Sequence, residues 1–268
     1  NQVALDATGY DHTHNPLLYS GKPNITNRPI GQQMGPLRAA RAMAIIHLAI
    51  FEAINQITPQ YTSYIKPIAV PEDISMAATI SSAAHAALAG LYPAQMDMID
   101  NALKIDMANI TTQEAPNNLA IQNGKILGNA ITNAILEMRG DDGSNHIEQR
   151  YNIEYYITVN KIGEWLQDPV SHHGLALGSK WGNVKPFTFK HGSDFRVPPP
   201  PAFDSPAYAE AFNEALRLGG DGVVTPTERT YEQTQIGIYW AYDGAPALCA
   251  PPRLYNQMVT HIAKQKNT

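Results

Sequence analysis

Asp243 is the side chain whose setting most invites chemistry. It ends the run Tyr239-Trp240-Ala241-Tyr242-Asp243, is followed by Gly244, and precedes Pro251-Pro252-Arg253-Leu254-Tyr255-Asn256-Gln257. The residues before it read as helix, which sets the carboxylate at a helix C-terminus beside aromatic rings. The helix dipole disfavours a negative charge there by about 0.3–1 kcal/mol. A carboxylate in that position calls for a compensating cation, on a distant segment of the chain or outside it. The plainer alternative, an aspartate that serves only a turn, stays open on these residues alone.

The other polar groups offer less. Nine histidines are present, but none are paired at i and i+4, the spacing a helical zinc site uses. His12 and His14, and the adjacent His172 and His173, lie among turn formers. His47 and His85 sit on apolar or alanine-rich stretches, where a hydrogen-bonded core histidine is the ordinary outcome. Asp141 and Asp142 are adjacent after Gly140 and read as turn residues. Asp97 and Asp100 fall in the first turns of a helix, where the dipole favours them. Neither pair stands as the two opposed acids of a glycosidase. There is no GxSxG elbow, P-loop, GxGxxG or HExxH.

The elements that must position Asp243 are helical. Residues 1–35 mix glycine, proline and asparagine, with a short helical start at Val3, Ala4, Leu5 and Ala7. Residues 36–143 carry a helical bundle. Leu37, Ala40, Ala44, Leu48, Phe51 and Ile54 recur every three or four positions between Pro36 and Pro59. An alanine-rich helix over 75–92 has side chains small enough to let a partner helix approach closely. A third helix runs from Pro93 to about Met107, with Ile105, Met107 and Ile110 as its apolar face. The fourth, 116–139, sets Leu119, Ile126, Ala130, Ile131, Ala134 and Ile135 on one face and stops at Gly140.

Residues 144–204 form a long Pro/Gly-rich loop with an extended strap at Pro198–Pro201. Residues 205–268 return to helix. Ser205 is placed to cap a helix with Tyr208, Phe212, Ala215 and Leu216 facing inward. Thr225, Pro226 and Glu228 read as a capping box for the next helix. Leu254 to Ala263 begins the last.

Composition narrows the function classes. A hydrophobic content of 44% with 16% charged residues suits a globular interior. The net charge of −5, with no two Lys or Arg adjacent, argues against a nucleic-acid surface or a polybasic membrane patch. No apolar run reaches the roughly 20 residues that span a bilayer. One cysteine, Cys249, excludes an intrachain disulfide and a Cys-rich zinc site.

Seven segments in order then resemble one family. They are NQVALDATGYDHT (1–13), ARAMAIIHLAIFEAIN (40–55), AAHAALAGLYPAQ (83–95), AILEMRGDDGS (134–144), WGNVKPF (181–187), FRVPPPPAFDSPAYAEAFNEALRLGG (195–220) and RTYEQTQIGIYWAYDG (229–244). They resemble the vanadium-dependent haloperoxidases, with YWAYDG and PPRLYNQ closest to the fungal chloroperoxidase branch. The resemblance implies an all-α helical bundle of the type shared with a class of acid phosphatases. It implies vanadate held like a phosphate, acting as a Lewis acid at constant oxidation state. Hydrogen peroxide on that vanadium would oxidise halide to a hypohalous species that attacks organic acceptors. It also points to a secreted or periplasmic setting, although the sequence itself fixes no compartment, and it leaves homo-oligomerisation open.

The vanadate-binding residues of such enzymes come from a lysine ahead of Arg-Pro, a Ser-Gly-His block and an arginine followed by histidine. The resemblance places all three beyond Thr268. Lys22 with Arg28-Pro29 imitates the first but with the wrong spacing and in the wrong part of the chain. Asp243 alone carries over, as the aspartate that pairs with a vanadate-binding arginine. The expectation is therefore the N-terminal half of such an enzyme, with no metal or cofactor ligand of its own and the C-terminal half as its partner. An acid phosphatase of the same superfamily and a non-catalytic helical scaffold are the alternatives.

Overall fold

The computed structural model describes residues 1–11, 31–33, 35–114, 118–151, 162–170, 172, 174–241 and 251–266. Within them lie eight α-helices: α1 (Gln2–Asp11), α2 (Gly35–Ile57), α3 (Met76–Leu91), α4 (Met96–Gln113), α5 (Asn118–Gly140), α6 (Pro206–Leu218), α7 (Tyr231–Trp240) and α8 (Pro251–Lys266). The only strands among the described residues are β1 (Gln149–Arg150) and β2 (Leu175–Ala176), an antiparallel ribbon pairing Gln149 with Ala176 and Arg150 with Leu175. The expectation of an all-α bundle with a long irregular loop is met.

The chain divides into two units, Asn1–Val184 with Gly244–Thr268, and Lys185–Asp243. In the first, α2, α3 and α5 pack on one another, α4 lies on α3, α1 touches α2 and α4, and α8 packs on α2. Ile45, Ile46, Ile99, Ile131, Ile135 and Tyr92 are fully enclosed.

The alanine-rich α3 does allow close approach. Gly124 and Gly128 of α5 face the α3 backbone, and Thr132 Oγ1 donates to Ala83 O at 2.9 Å. That contact sets the rotation of α5. Its buried face is Ile121, Gly124, Leu127, Gly128, Ile131 and Ile135, while Leu119 and Ile126 are left exposed. The expected face was turned because hydrophobicity assigns glycine no side, whereas backbone contact assigns it the tightest one. In α2 the enclosed line runs through Ala39, Ala42, Met43, Ile46, Ala49 and Ala53, and the expected stripe at Leu37, Leu48 and Phe51 is only half-buried. Apolar residues on both sides of α2 made either phase readable.

α4 continues past Met107 to Gln113, and the hydroxyls of Thr111 and Thr112 bond back to Met107 O and Ala108 O inside the helix rather than ending it. Ile110 and Met107 join Ala78 and Ile121 in a small core cluster, and Ile105 points to solvent.

Two buried carboxylates fasten loops to this unit. Asp11 accepts from the Gln32 and Gln33 amides at 2.9 and 2.8 Å. Glu52 accepts from Ser63 Oγ at 2.7 Å, from Gln56 Nε2 at 3.0 Å and from the Tyr64 amide.

In the second unit, Ser205 caps α6 as expected, accepting from the Tyr208 amide at 3.2 Å. No residue of α6 is buried, however: Phe212 and Leu216, expected inward, are more than half exposed. The capping box also lies five residues later than expected. Asp221 Oδ1 accepts from the amides of Val223, Val224 and Thr225, and the Glu228 amide donates to Arg217 O. The Thr225 and Glu228 amides, the two donors of the expected box, are thereby withdrawn from a helix beginning at Thr225. Thr230 takes over, accepting from the Gln233 amide at 3.2 Å while Gln233 Oε1 accepts from the Thr230 amide at 2.9 Å. Thr230→Ala should cost about 1 kcal/mol at the start of α7. That is roughly fivefold faster amide hydrogen exchange across its first turn, with α6 unchanged.

Candidate functional site

Asp243 lies outside the described residues. The helix that leads toward it, α7, ends at Trp240. The Ala241 amide closes the helix on Gly237 O and Ile238 O at 3.0 and 3.2 Å. Tyr239 and Trp240 stack edge to face at 5.6 Å, and both rings are about half exposed.

The densest polar constellation is one that sequence reasoning missed. Asp142, taken from the sequence as a turn residue, has a fully enclosed side chain. It pairs with Arg41 Nε and with Arg139 Nη2, both at 2.7 Å, and accepts the Ser144 amide at 3.0 Å. Arg41 also donates to Arg139 O at 2.7 Å. Beside this group, Arg38 pairs with Glu148 and donates to the carbonyls of Ser144 and His146 at 3.1 and 2.8 Å. Its guanidinium lies 5.8 Å from the centre of the Trp181 ring. Glu148 also accepts the Gly178 amide at 2.8 Å and lies 3.2 Å from His146 Nε2.

Burial by itself would raise the pKa of Asp142, but hydrogen bonds from Arg41 and Ser144 outweigh it and hold the carboxyl below its ordinary value. Glu148 is likewise lowered: burial opposes ionisation, and the Gly178 amide, Arg38 and His146 outweigh that cost. The sequence did hold a signal for this cluster. Arg38 and Arg41 stand three apart on an otherwise apolar helix, and Arg139 sits just ahead of the Asp-Asp pair in a chain poor in charge.

The cluster does not fit vanadate. Its guanidinium groups face Asp142 and Glu148, and two carboxylates among them repel an oxyanion. It fits a structural role, joining α2 and α5 to the loop that follows.

The histidines behave as ordinary core or surface groups. His47 Nδ1 bonds to Met43 O at 2.8 Å, and His85 Nε2 to Asp100 at 2.7 Å. His12, His14 and His173 lie outside the described residues, and His172 is exposed. Among the described residues no group of three His, Cys, Asp or Glu side chains is placed to hold a metal, and no helix is long and apolar enough to cross a membrane. A cavity of about 160 Å³ opens between α1 and α8, lined in part by Leu5, Thr260, His261 and Lys264.

This helical architecture is the vanadium haloperoxidase fold. It superimposes on the crystal structure of a bacterial vanadium-dependent iodoperoxidase with a TM-score of 0.68 at 18% identity, covering 99% of this chain and 62% of that one. In sequence, the chain is 25% identical over 282 residues to the vanadium chloroperoxidase of Curvularia inaequalis. That alignment takes in 89% of the chain and 46% of the fungal enzyme, so the chain spans about half the length of the curated relative it matches. The chain is thus distantly homologous to vanadium chloroperoxidase. No family model matches it.

Proposed function

We propose that this chain is the N-terminal part of a vanadium-dependent haloperoxidase, an enzyme that oxidises halide with hydrogen peroxide to a hypohalous species. In this reading the vanadate-binding residues are contributed by the C-terminal half of the same enzyme, and Asp243 orients an arginine of that half. Halide, hydrogen peroxide and an organic acceptor are then the small-molecule partners.

The observation that carries the reading is the set of apolar side chains left uncovered within the described residues. Phe212 and Leu216 of α6, Ile236 and Trp240 of α7, and Val259 and Ile262 of α8 are each between 51 and 68% exposed. Single exposed apolar residues are ordinary, but runs of them at helical spacing mark surfaces that another element covers. A self-sufficient scaffold would present polar faces there. The distant homology, extending over about half of the fungal enzyme, supports the same reading and favours a haloperoxidase over an acid phosphatase.

The test is bromination of monochlorodimedone with vanadate and hydrogen peroxide. It is run on this polypeptide, proven pure by intact mass, and on its mixture with a polypeptide that carries the Arg-Pro, Ser-Gly-His and Arg-His motifs. The chain alone should be inactive and the mixture active, and Asp243→Ala should lower the mixture's rate about 10- to 100-fold. Activity of the chain alone overturns the division of labour. Phosphate-ester hydrolysis by the mixture without bromination installs the phosphatase instead. A complex that forms but does neither leaves the scaffold reading.

A further inference from the structure

The second half of α7 has no polar side. Successive residues of an α-helix are turned by about 100°, so Ile236, Ile238, Tyr239 and Trp240 point to every side of the axis, and all four are between 51 and 63% exposed. α6 and α8 differ. Tyr208, Phe212 and Leu216 of α6 form one stripe, opposite Glu210, Glu214 and Arg217. α8 carries Tyr255, Met258, Val259 and Ile262 along one side and packs on α2 with another. A cover on one face satisfies those two helices, whereas a helix apolar all round is one that other elements enclose. Residues 185–241 supply no such enclosure, because none of them is buried.

α7 is nonetheless fixed at its base. Arg229 donates to Leu218 O and Gly220 O at 2.7 and 3.1 Å and to Thr234 Oγ1 at 3.0 Å, which ties the end of α6 to the first turn of α7. With the Thr230 capping box, this holds α7 as a preorganised prong. In its apolar half lies Gly237. A Cβ at Gly128 of α5 would lie 2.5 Å from Thr79 O, because the α3 backbone passes there, but a Cβ at Gly237 would meet nothing within 4 Å. An interior glycine costs a helix about 1 kcal/mol against alanine. Among large apolar side chains it leaves a notch through which the backbone of a neighbouring helix can approach.

We infer that α7 is an inserted helix: the C-terminal half of the enzyme encloses it, and a helix of that half crosses it at Gly237. The inference rests on the half-enzyme reading above. Two observations select that occupant. The relatives are longer than this chain, which covers 62% of the iodoperoxidase and 46% of the fungal chloroperoxidase, so each holds further polypeptide for the purpose. A second copy of this chain, meeting α7 across a two-fold axis, would cover one side of the helix and leave the opposite side in water.

Calorimetric titration of the whole chain with the polypeptide that carries the Arg-Pro, Ser-Gly-His and Arg-His motifs tests this. Gly237→Leu should weaken the association by about tenfold or more, and Glu232→Leu, in the polar first turn of α7, by less than about twofold. Neither should move the urea midpoint of the chain alone. In a chain carrying Trp165→Phe and Trp181→Phe, acrylamide should quench Trp240 freely, and adding the second polypeptide should cut that quenching several-fold. If the parent chain binds and Gly237→Leu binds as tightly, or Trp240 stays as open to acrylamide, the insertion is overturned and the half-enzyme reading stands. A Gly237→Leu chain with a lowered midpoint before any partner is added also overturns it, since α7 is then covered by this chain itself. A parent chain that does not bind overturns both.

Discussion

Asp142→Asn should destabilise the α2–α3–α5 unit by about 3–5 kcal/mol, the range for removing one partner of a buried charge pair. The reason lies in what remains. Arg139, 1% exposed, and Arg41, 12% exposed, both point at the Asp142 carboxylate, and neither side chain has bulk water to turn to. Both guanidinium groups meet the same oxygen, Oδ2, so an asparagine that keeps its carbonyl there sets its NH2 against the Ser144 N–H on the other side, and it removes the charge that offsets both arginines. The Ser144 amide loses a charged acceptor as well. Urea unfolding should show the loss as a lower midpoint at unchanged slope. Replacing the trio together, as Arg41→Met, Arg139→Met and Asp142→Leu, should recover most of it, because exchanging a whole buried ionic set for apolar volume is often neutral. A loss under 1 kcal/mol for Asp142→Asn would show that the cluster is solvated and sink the argument.

The same cluster shows where sequence reasoning stops. Local signals were legible where one residue decides the outcome. Ser205 caps its helix because its hydroxyl meets the amide three residues on, a contact that needs no tertiary information. Glycine after Arg139 ended α5, and the small residues of α3 announced a close partner. What failed was each feature settled by a distant segment. Asp142 looks like a turn aspartate until Arg41, about a hundred positions away, is brought beside it. The capping box moved from Thr225 to Thr230 because Asp221 and the Arg217 carbonyl captured the amides that a helix starting at Thr225 would use. Asp243 lies outside the described residues, and the cation argued for it belongs, in the proposed reading, to another part of the enzyme.

The uncovered faces have a similar logic. The hydrophobic periodicity of α6 is real, and it correctly predicted one apolar side. It did not say what that side meets, and within the described residues Phe212 and Leu216 meet solvent. An apolar stripe specifies a demand for burial, and a chain that spans about half of its relative leaves room for that demand to be met by polypeptide outside the described residues.

Gly128→Ala should lower stability by about 1–3 kcal/mol even though alanine is the better helix former. Two effects compete. Removing backbone freedom from an interior helix position stabilises by about 0.4–1 kcal/mol. At Gly128 that gain is outweighed, because the new Cβ would lie 2.5 Å from Thr79 O and 2.8 Å from Ala83 N. Both atoms belong to the α3 backbone and cannot swing aside as a long side chain would. The helices must separate, which stretches the bond from Thr132 Oγ1 to Ala83 O and opens the packing around Ile131 and Ile135. Gly237, in the middle of α7, supplies the opposite sign, since a Cβ there meets nothing within 4 Å. Gly237→Ala should therefore slow amide exchange along α7 by a few-fold, with only the backbone term acting. If both substitutions stabilise, the α3–α5 approach is looser than these distances require; if both destabilise, something covers the free face of α7 at Gly237.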